Sequence, residues 1–214
     1  MSSVAKKIIQ TSGGTGGTSA NNLDFIGQKW GASTVTVTRG VDYEDGDLLF
    51  SFMYYYSATA ISPESGWTAI NSGLYVAASG TAYQSFAFSR IIANASSYTT
   101  NNGNYDNVIV VFRPTGYDTF TEVDEDFGIP NAIASITMTD TNDSLYMGFG
   151  GVVINDVTTV AKPSFATEVD VTGSSGSVKF YWAYQEAGHG NTGTQTLEVS
   201  GTFEVATAIQ LDLT

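Results

Sequence analysis

At 214 residues, with 42% hydrophobic side chains and no cysteine, the chain is long enough to bury a core, and it has no disulfide or thiolate metal site to reinforce one. Its net charge of −13, from 21 acidic against 8 basic residues, repels a polyanion, so direct nucleic-acid binding is not expected. No apolar run approaches the ~18–20 residues of a membrane-spanning helix, and no apolar stretch follows Met-Ser-Ser-Val-Ala-Lys-Lys, so neither a membrane segment nor a secretory signal is expected.

Taken in chain order, residues 1–30 stand apart as an N-terminal arm. Lys6 to Gln10 reads as one short strand, and Thr11 to Asn22 is a Gly/Ser/Thr/Asn tract of linker composition. The arm is either ordered only by something outside the domain or supplies a first strand to the domain's own sheet edge. From Gly31 onward the pattern has a period of two. A strand is expected at Thr34–Arg39, then a turn at Asp45-Gly46. Next, Leu48, Phe50, Phe52, Tyr54 and Tyr56 share one face of a strand while Leu49, Ser51, Met53 and Tyr55 share the other. After Pro63-Glu64-Ser65-Gly66, strands are expected at Trp67–Asn71 and Gln84–Ile92. Val108 to Phe112 is apolar on both faces, as in a strand covered on both sides.

A long connection is expected between Pro114 and Pro130, then strands at Ala134–Met138 and Ser144–Ile154. Val178, Phe180, Trp182 and Tyr184 alternate with Lys179, Tyr181, Ala183 and Gln185; a strand at Thr194–Val199 follows. Val205, Thr207, Ile209, Leu211 and Leu213 oppose Ala206, Ala208, Gln210 and Asp212. No window reads as a long amphipathic helix. Many short strands at ~10-residue spacing predict an all-β fold, an antiparallel β-sandwich or jelly roll over residues 31–214.

The order of several motifs resembles a β-sandwich module of phage structural proteins, found in head decoration and in tail- or fibre-associated proteins. These are Asp45-Gly46-Asp47-Leu48-Leu49, Pro63-Glu64-Ser65-Gly66-Trp67-Thr68, Val108-Ile109-Val110-Val111-Phe112-Arg113, Ser135-Ile136-Thr137-Met138-Thr139, Asp143-Ser144-Leu145-Tyr146 and Ala187-Gly188-His189-Gly190-Asn191-Thr192-Gly193-Thr194. The resemblance spans roughly residues 31–214. It implies a virion setting, in assembly or attachment, and carries no catalytic residues; the Gly-rich arm and the acidic stretch at 122–126 depart from it.

Candidate sites are few. Glu122, Asp124, Glu125 and Asp126 either hold Ca²⁺ or form a solvated acidic loop, and the loop is the reading adopted. Asp140-Thr141-Asn142-Asp143 starts like a calcium loop but lacks the later Gly and Glu. His189 is the sole histidine, which rules out multi-histidine metal sites, and it is read as part of a structural loop. Gly13 to Ser19 lacks the Gly-Lys-Ser/Thr ending of a phosphate loop. Trp30, Tyr54, Tyr55 and Tyr56 are packing residues or, alternatively, a sugar-stacking platform; Trp67 and Trp182 are assigned to the core.

Two functions remain in view. The first is a bacteriophage capsid decoration, or cement, protein, synthesised in the host cytoplasm and seated on the outer capsid surface. It would be a homotrimer bound to the major capsid protein, not an enzyme, and without a cofactor. Its arm residues Lys6, Lys7, Ile8 and Ile9 would contact a neighbouring subunit. The second is a tail-fibre or receptor-binding module that recognises cell-surface carbohydrate, and fold alone does not separate the two.

Overall fold

The computed structural model describes residues 21–31, 33–55, 60–76, 83–101, 107–128, 132–152, 156–172, 177–201 and 204–214. These form strands β1 (Asn22–Gly31), β2 (Thr34–Thr38), β3 (Leu48–Tyr55), β4 (Thr68–Val76), β5 (Tyr83–Ile92), β6 (Ser97–Asn101), β7 (Asn107–Thr115) and β8 (Phe120–Gly128). The chain continues through β9 (Ile133–Met138), β10 (Asp143–Val152), β11 (Thr158–Ala161), β12 (Thr167–Thr172), β13 (Ser177–Gln185), β14 (Gly193–Ser200) and β15 (Val205–Leu213), with no helix among the described residues.

Two antiparallel sheets of five strands, ordered β1-β7-β3-β5-β4 and β12-β13-β10-β15-β8, face each other as a sandwich. The alternation that predicted the strands also builds this core. Leu48, Phe50, Phe52 and Tyr54 of β3 and Val108, Val110 and Phe112 of β7 point inward from the first sheet. Leu145, Met147 and Phe149 of β10, with Val178 and Phe180 of β13, meet them from the second. Phe149 is the hub: it stacks on Phe52 at 4.9 Å and 3°, and meets Phe88 edge-on at 5.1 Å. Such offset and edge contacts add to the ~25 cal/mol per Å² of apolar area hidden from water.

The outer faces of both sheets are covered too, so the molecule is a stack of four β layers. On the first sheet lies the two-stranded ribbon β2-β6, where Val35, Val37 and Tyr98 cover Leu49, Ile109 and Val111. Strand β7 is therefore buried on both faces, as its doubly apolar sequence predicts. On the second sheet lies a third, ordered β11-β14-β9. Here β10 turns Leu145, Met147 and Phe149 to the sandwich and Tyr146, Gly148 and Gly150 outward. A Cβ on Gly148 would sit 2.9 Å from Leu197, and one on Gly150 would overlap Val199. The glycine track with Ala206 and Ala208 lets the third sheet approach closely enough to seal its own apolar cluster.

Two expectations change. Residues 22–30, grouped with the arm by composition, are most of edge strand β1, paired to β7; the shift at Ile26 breaks its period of two. The acidic stretch within 114–130, read as a solvated loop, belongs to edge strand β8, paired antiparallel to β15.

Candidate functional site

The four clustered carboxylates show how a strand distributes charge. Cross-strand partners share a face, and a shift beside Leu211 leaves Val123 as the extra residue. Glu122 and Glu125 thus lie opposite Leu211 and Ile209, on the sandwich side, whereas Asp124 and Asp126 lie opposite Gln210 and Ala208, on the side of the third sheet. They do not converge as cation ligands do, and no group of three or more His, Cys, Asp or Glu among the described residues has the geometry to hold a metal.

The two aspartates have partners of another kind. Asp126 Oδ2 accepts the backbone N–H of Ser135 at 2.7 Å, and Asp124 Oδ2 accepts that of Thr137 at 2.6 Å. Both donors belong to β9, the edge of the third sheet, and alternate residues of an edge strand turn their N–H groups away from the ladder. Side chains of one sheet therefore finish the edge of the next, which joins two layers and blocks an edge that would otherwise invite pairing with another chain. On the other face, partial desolvation beside the sandwich, then the nearby charges of Glu122, Asp124 and Asp126, hold the still largely exposed Glu125 at a pKa of about 6. Glu122 is also raised by burial, opposed by the positive charge of Arg90.

At one end of the sandwich a second set of acids clamps loops. Asp140 receives the N–H groups of His189 at 2.9 Å and Gly190 at 2.6 Å. Asp143 receives that of Ala187 at 2.8 Å and the Tyr117 hydroxyl at 2.6 Å, and Tyr117 in turn meets the Tyr184 hydroxyl at 2.6 Å. Burial, then the bonds to Asp143 and Tyr184, push the Tyr117 phenol far above its ordinary range. Asn142 donates to Asp212 at 2.7 Å. His189 itself is exposed, tied through its main chain rather than its ring. The segment resembling a calcium loop is thus a pair of loop clamps.

Three further acids repeat the theme. Asp47, 2% exposed, takes Arg113 through both oxygens at 2.8 Å and also accepts the N–H of Glu44 at 2.9 Å. This closes the Asp45-Gly46 turn, where Gly46 has φ of 90°, a value L side chains resist. Lys179 bridges Glu168 at 2.6 Å and Asp170 at 3.1 Å. The hydrogen bond to Glu168 is the main reason its ammonium holds its proton more tightly than usual.

Of the aromatic candidates, Tyr54 is 2% exposed in the main core, and Trp67 lies in the ribbon cluster, edge-on to Tyr98 at 5.8 Å. Trp30 and Trp182 pack against the main core, Trp182 on Phe112 at 5.4 Å and Phe25 at 5.7 Å, and both indole nitrogens are enclosed. None of these rings forms an exposed platform. The Tyr55 side chain, Tyr56, the arm residues Lys6, Lys7, Ile8 and Ile9, and Gly13 to Ser19 lie outside the described residues. Sequence reasoning missed the edge-finishing aspartates and the Tyr117–Asp143–Tyr184 group, whose members are up to 67 positions apart and carry no local signature. No family model matches the chain, and neither the curated proteins nor the solved structures contain a match to it.

Proposed function

We propose that the chain is a structural docking protein of a bacteriophage particle, a decoration protein that binds the major capsid protein on the outer head surface. One observation carries most weight: many of its described carboxylates, Asp47, Asp124, Asp126, Asp140 and Asp143 among them, brace loops, a turn and a sheet edge within a four-layer stack. Chemistry needs convergent, available groups; docking needs a surface that does not change shape on binding. A rigid body bound across a capsomer junction stabilises the shell by mass action, because that surface is buried only while the shell is closed. A threefold junction suits a closed homotrimer. The net charge of −13 keeps such a surface from adhering to released nucleic acid.

The resemblance of its motif order to that of phage sandwich modules is what suggests this setting, and the packed tryptophans favour decoration over carbohydrate recognition. The test mixes purified chain with heads stripped of it. Co-sedimentation at fixed stoichiometry and a higher head-opening temperature are expected. Failure to bind, together with glycan-array binding abolished by Tyr55→Ala, would replace decoration with adsorption.

A further inference from the structure

The two halves of the chain are built to one plan. With β11 set aside, the strands of residues 22–115 and of residues 120–213 take the same places in order. Sheet β1-β7-β3-β5-β4 matches β8-β15-β10-β13-β12, and ribbon β2-β6 matches β9-β14. The first strand of each half even carries its extra residue alike, Ile26 against β7 and Val123 against β15. Each half therefore shows what the matching surface of the other is suited to hold, and they differ at one edge. In the second half β14 carries β11, a short strand paired antiparallel along its outer edge. In the first half the matching strand, β6, has β2 as its one neighbour among the described residues.

Open edges recruit other strands, and proteins defend them with charge, proline, bulges or cover. Among the described residues the other edge strands are so defended. Strands β1, β4, β8 and β11 are bulged, β12 carries Glu168 and Asp170, and β9 is finished by Asp124 and Asp126. Strand β2 packs beside β1, as β9 does beside β8. Strand β6 has no charge, proline or glycine and keeps unbroken register with β2. We propose that its outer edge takes the chain's own N-terminal segment Lys6–Gln10, which lies outside the described residues, as an antiparallel third strand in the place that β11 fills in the other half. The path suits it. Ala93, shortly before β6, donates its N–H to Asp47 O at 2.8 Å, Asp47 holds Arg113, and Arg113 lies opposite Asp24. Strands β6 and β1 thus begin at the same end of the first sheet. An antiparallel arm strand leaves Gln10 at that end, and the flexible residues 11–21 span about 18 Å, roughly four strand spacings, on the way to β1. So short a tether holds the arm at roughly millimolar effective concentration, which favours the chain's own edge over a neighbour's. Charge agrees: the arm carries Lys6 and Lys7 and none of the chain's 21 acidic residues.

Cysteine cross-linking of the full chain tests this, because the chain has no cysteine of its own. Thr99→Cys, exposed at the centre of β6, is combined in turn with Lys7→Cys, Ile8→Cys and Ile9→Cys, so that a one-residue slip in register is covered. Mild oxidation should link at least one of these pairs within a single chain. Disulfide-linked dimers in place of that link, whether of the pairs or of Thr99→Cys alone, would assign the edge to a second copy and overturn the proposal; so would no link at all. Amide exchange gives a second reading without cysteines. Ile8→Pro removes a ladder donor from the arm, and the β6 amides not bonded to β2 should then exchange at least tenfold faster than in the wild type. Equal rates in the two proteins would refute arm pairing at this edge.

Discussion

The aspartates of β8 make the sharpest stability prediction. Asp124 and Asp126 each accept one main-chain N–H from β9, at 2.6 and 2.7 Å. A hydrogen bond to a charged acceptor contributes about 1.5–3 kcal/mol when enclosed. Both carboxylates are only half-buried, and water can reach the freed N–H groups, so about 1 kcal/mol each is the appropriate figure. The double variant Asp124→Ala/Asp126→Ala therefore loses about 2 kcal/mol, which in a chain of this size lowers the melting temperature by about 4–8 °C. The loss is local, so amide exchange at Ser135 and Thr137 should accelerate before the sandwich core loosens. The exposed edge should also make the variant aggregate sooner on heating. Asn at both positions keeps an acceptor and should restore part of the stability. Unchanged melting and unchanged exchange at those two amides would refute the idea that one sheet finishes the edge of the next.

Other outcomes follow from single contacts. Gly128→Ala drives a Cβ into the Ile133 backbone where β8 passes β9, and should abolish soluble expression or cost several degrees of melting temperature. Tyr117→Phe removes the hydroxyl that joins Asp143 and Tyr184 and should cost about 1–3 kcal/mol by chemical unfolding; in the wild type, ultraviolet titration should show a tyrosine that stays protonated through the usual alkaline transition. Glu125 keeps its proton to about pH 6 when folded, against an ordinary value of 4.5. Its stabilising neutral form is complete below pH 4.5 and lost as pH rises through 6. Glu125→Gln should therefore raise the melting temperature at pH 7 by about 1–2 °C, a small gain because the side chain is largely exposed, and the difference should vanish near pH 4.5.

Much of this fold is legible in the sequence where one rule acts alone. Strands β3, β13 and β15 alternate because their large apolar side chains point to the main core while smaller or polar ones, Ser51, Lys179, Ala206 and Ala208 among them, lie on the other face; β7 carries apolar side chains on both faces. Strand β8 escaped because an edge strand can carry acids on both faces, and its extra residue at Val123 disrupts the period. In β1 the irregularity at Ile26 does the same between Phe25 and Trp30. The layer count was illegible for a different reason. Ala134, Ile136 and Met138 announce one buried face, but only topology says that they meet the second sheet rather than the main core. The loop clamps were hidden likewise: Asp140 and Asp143 sit in an unremarkable turn, and their partners lie 44 to 50 positions downstream.

The most direct test of the proposed decoration role is a cryo-electron microscopy map of intact particles of a phage whose genome is found to carry this sequence. Density matching the four-layer stack should appear on the outside of the head at capsomer junctions, in copies related by threefold symmetry. Finding that density on the tail instead, or finding the protein missing from purified particles, would contradict the account.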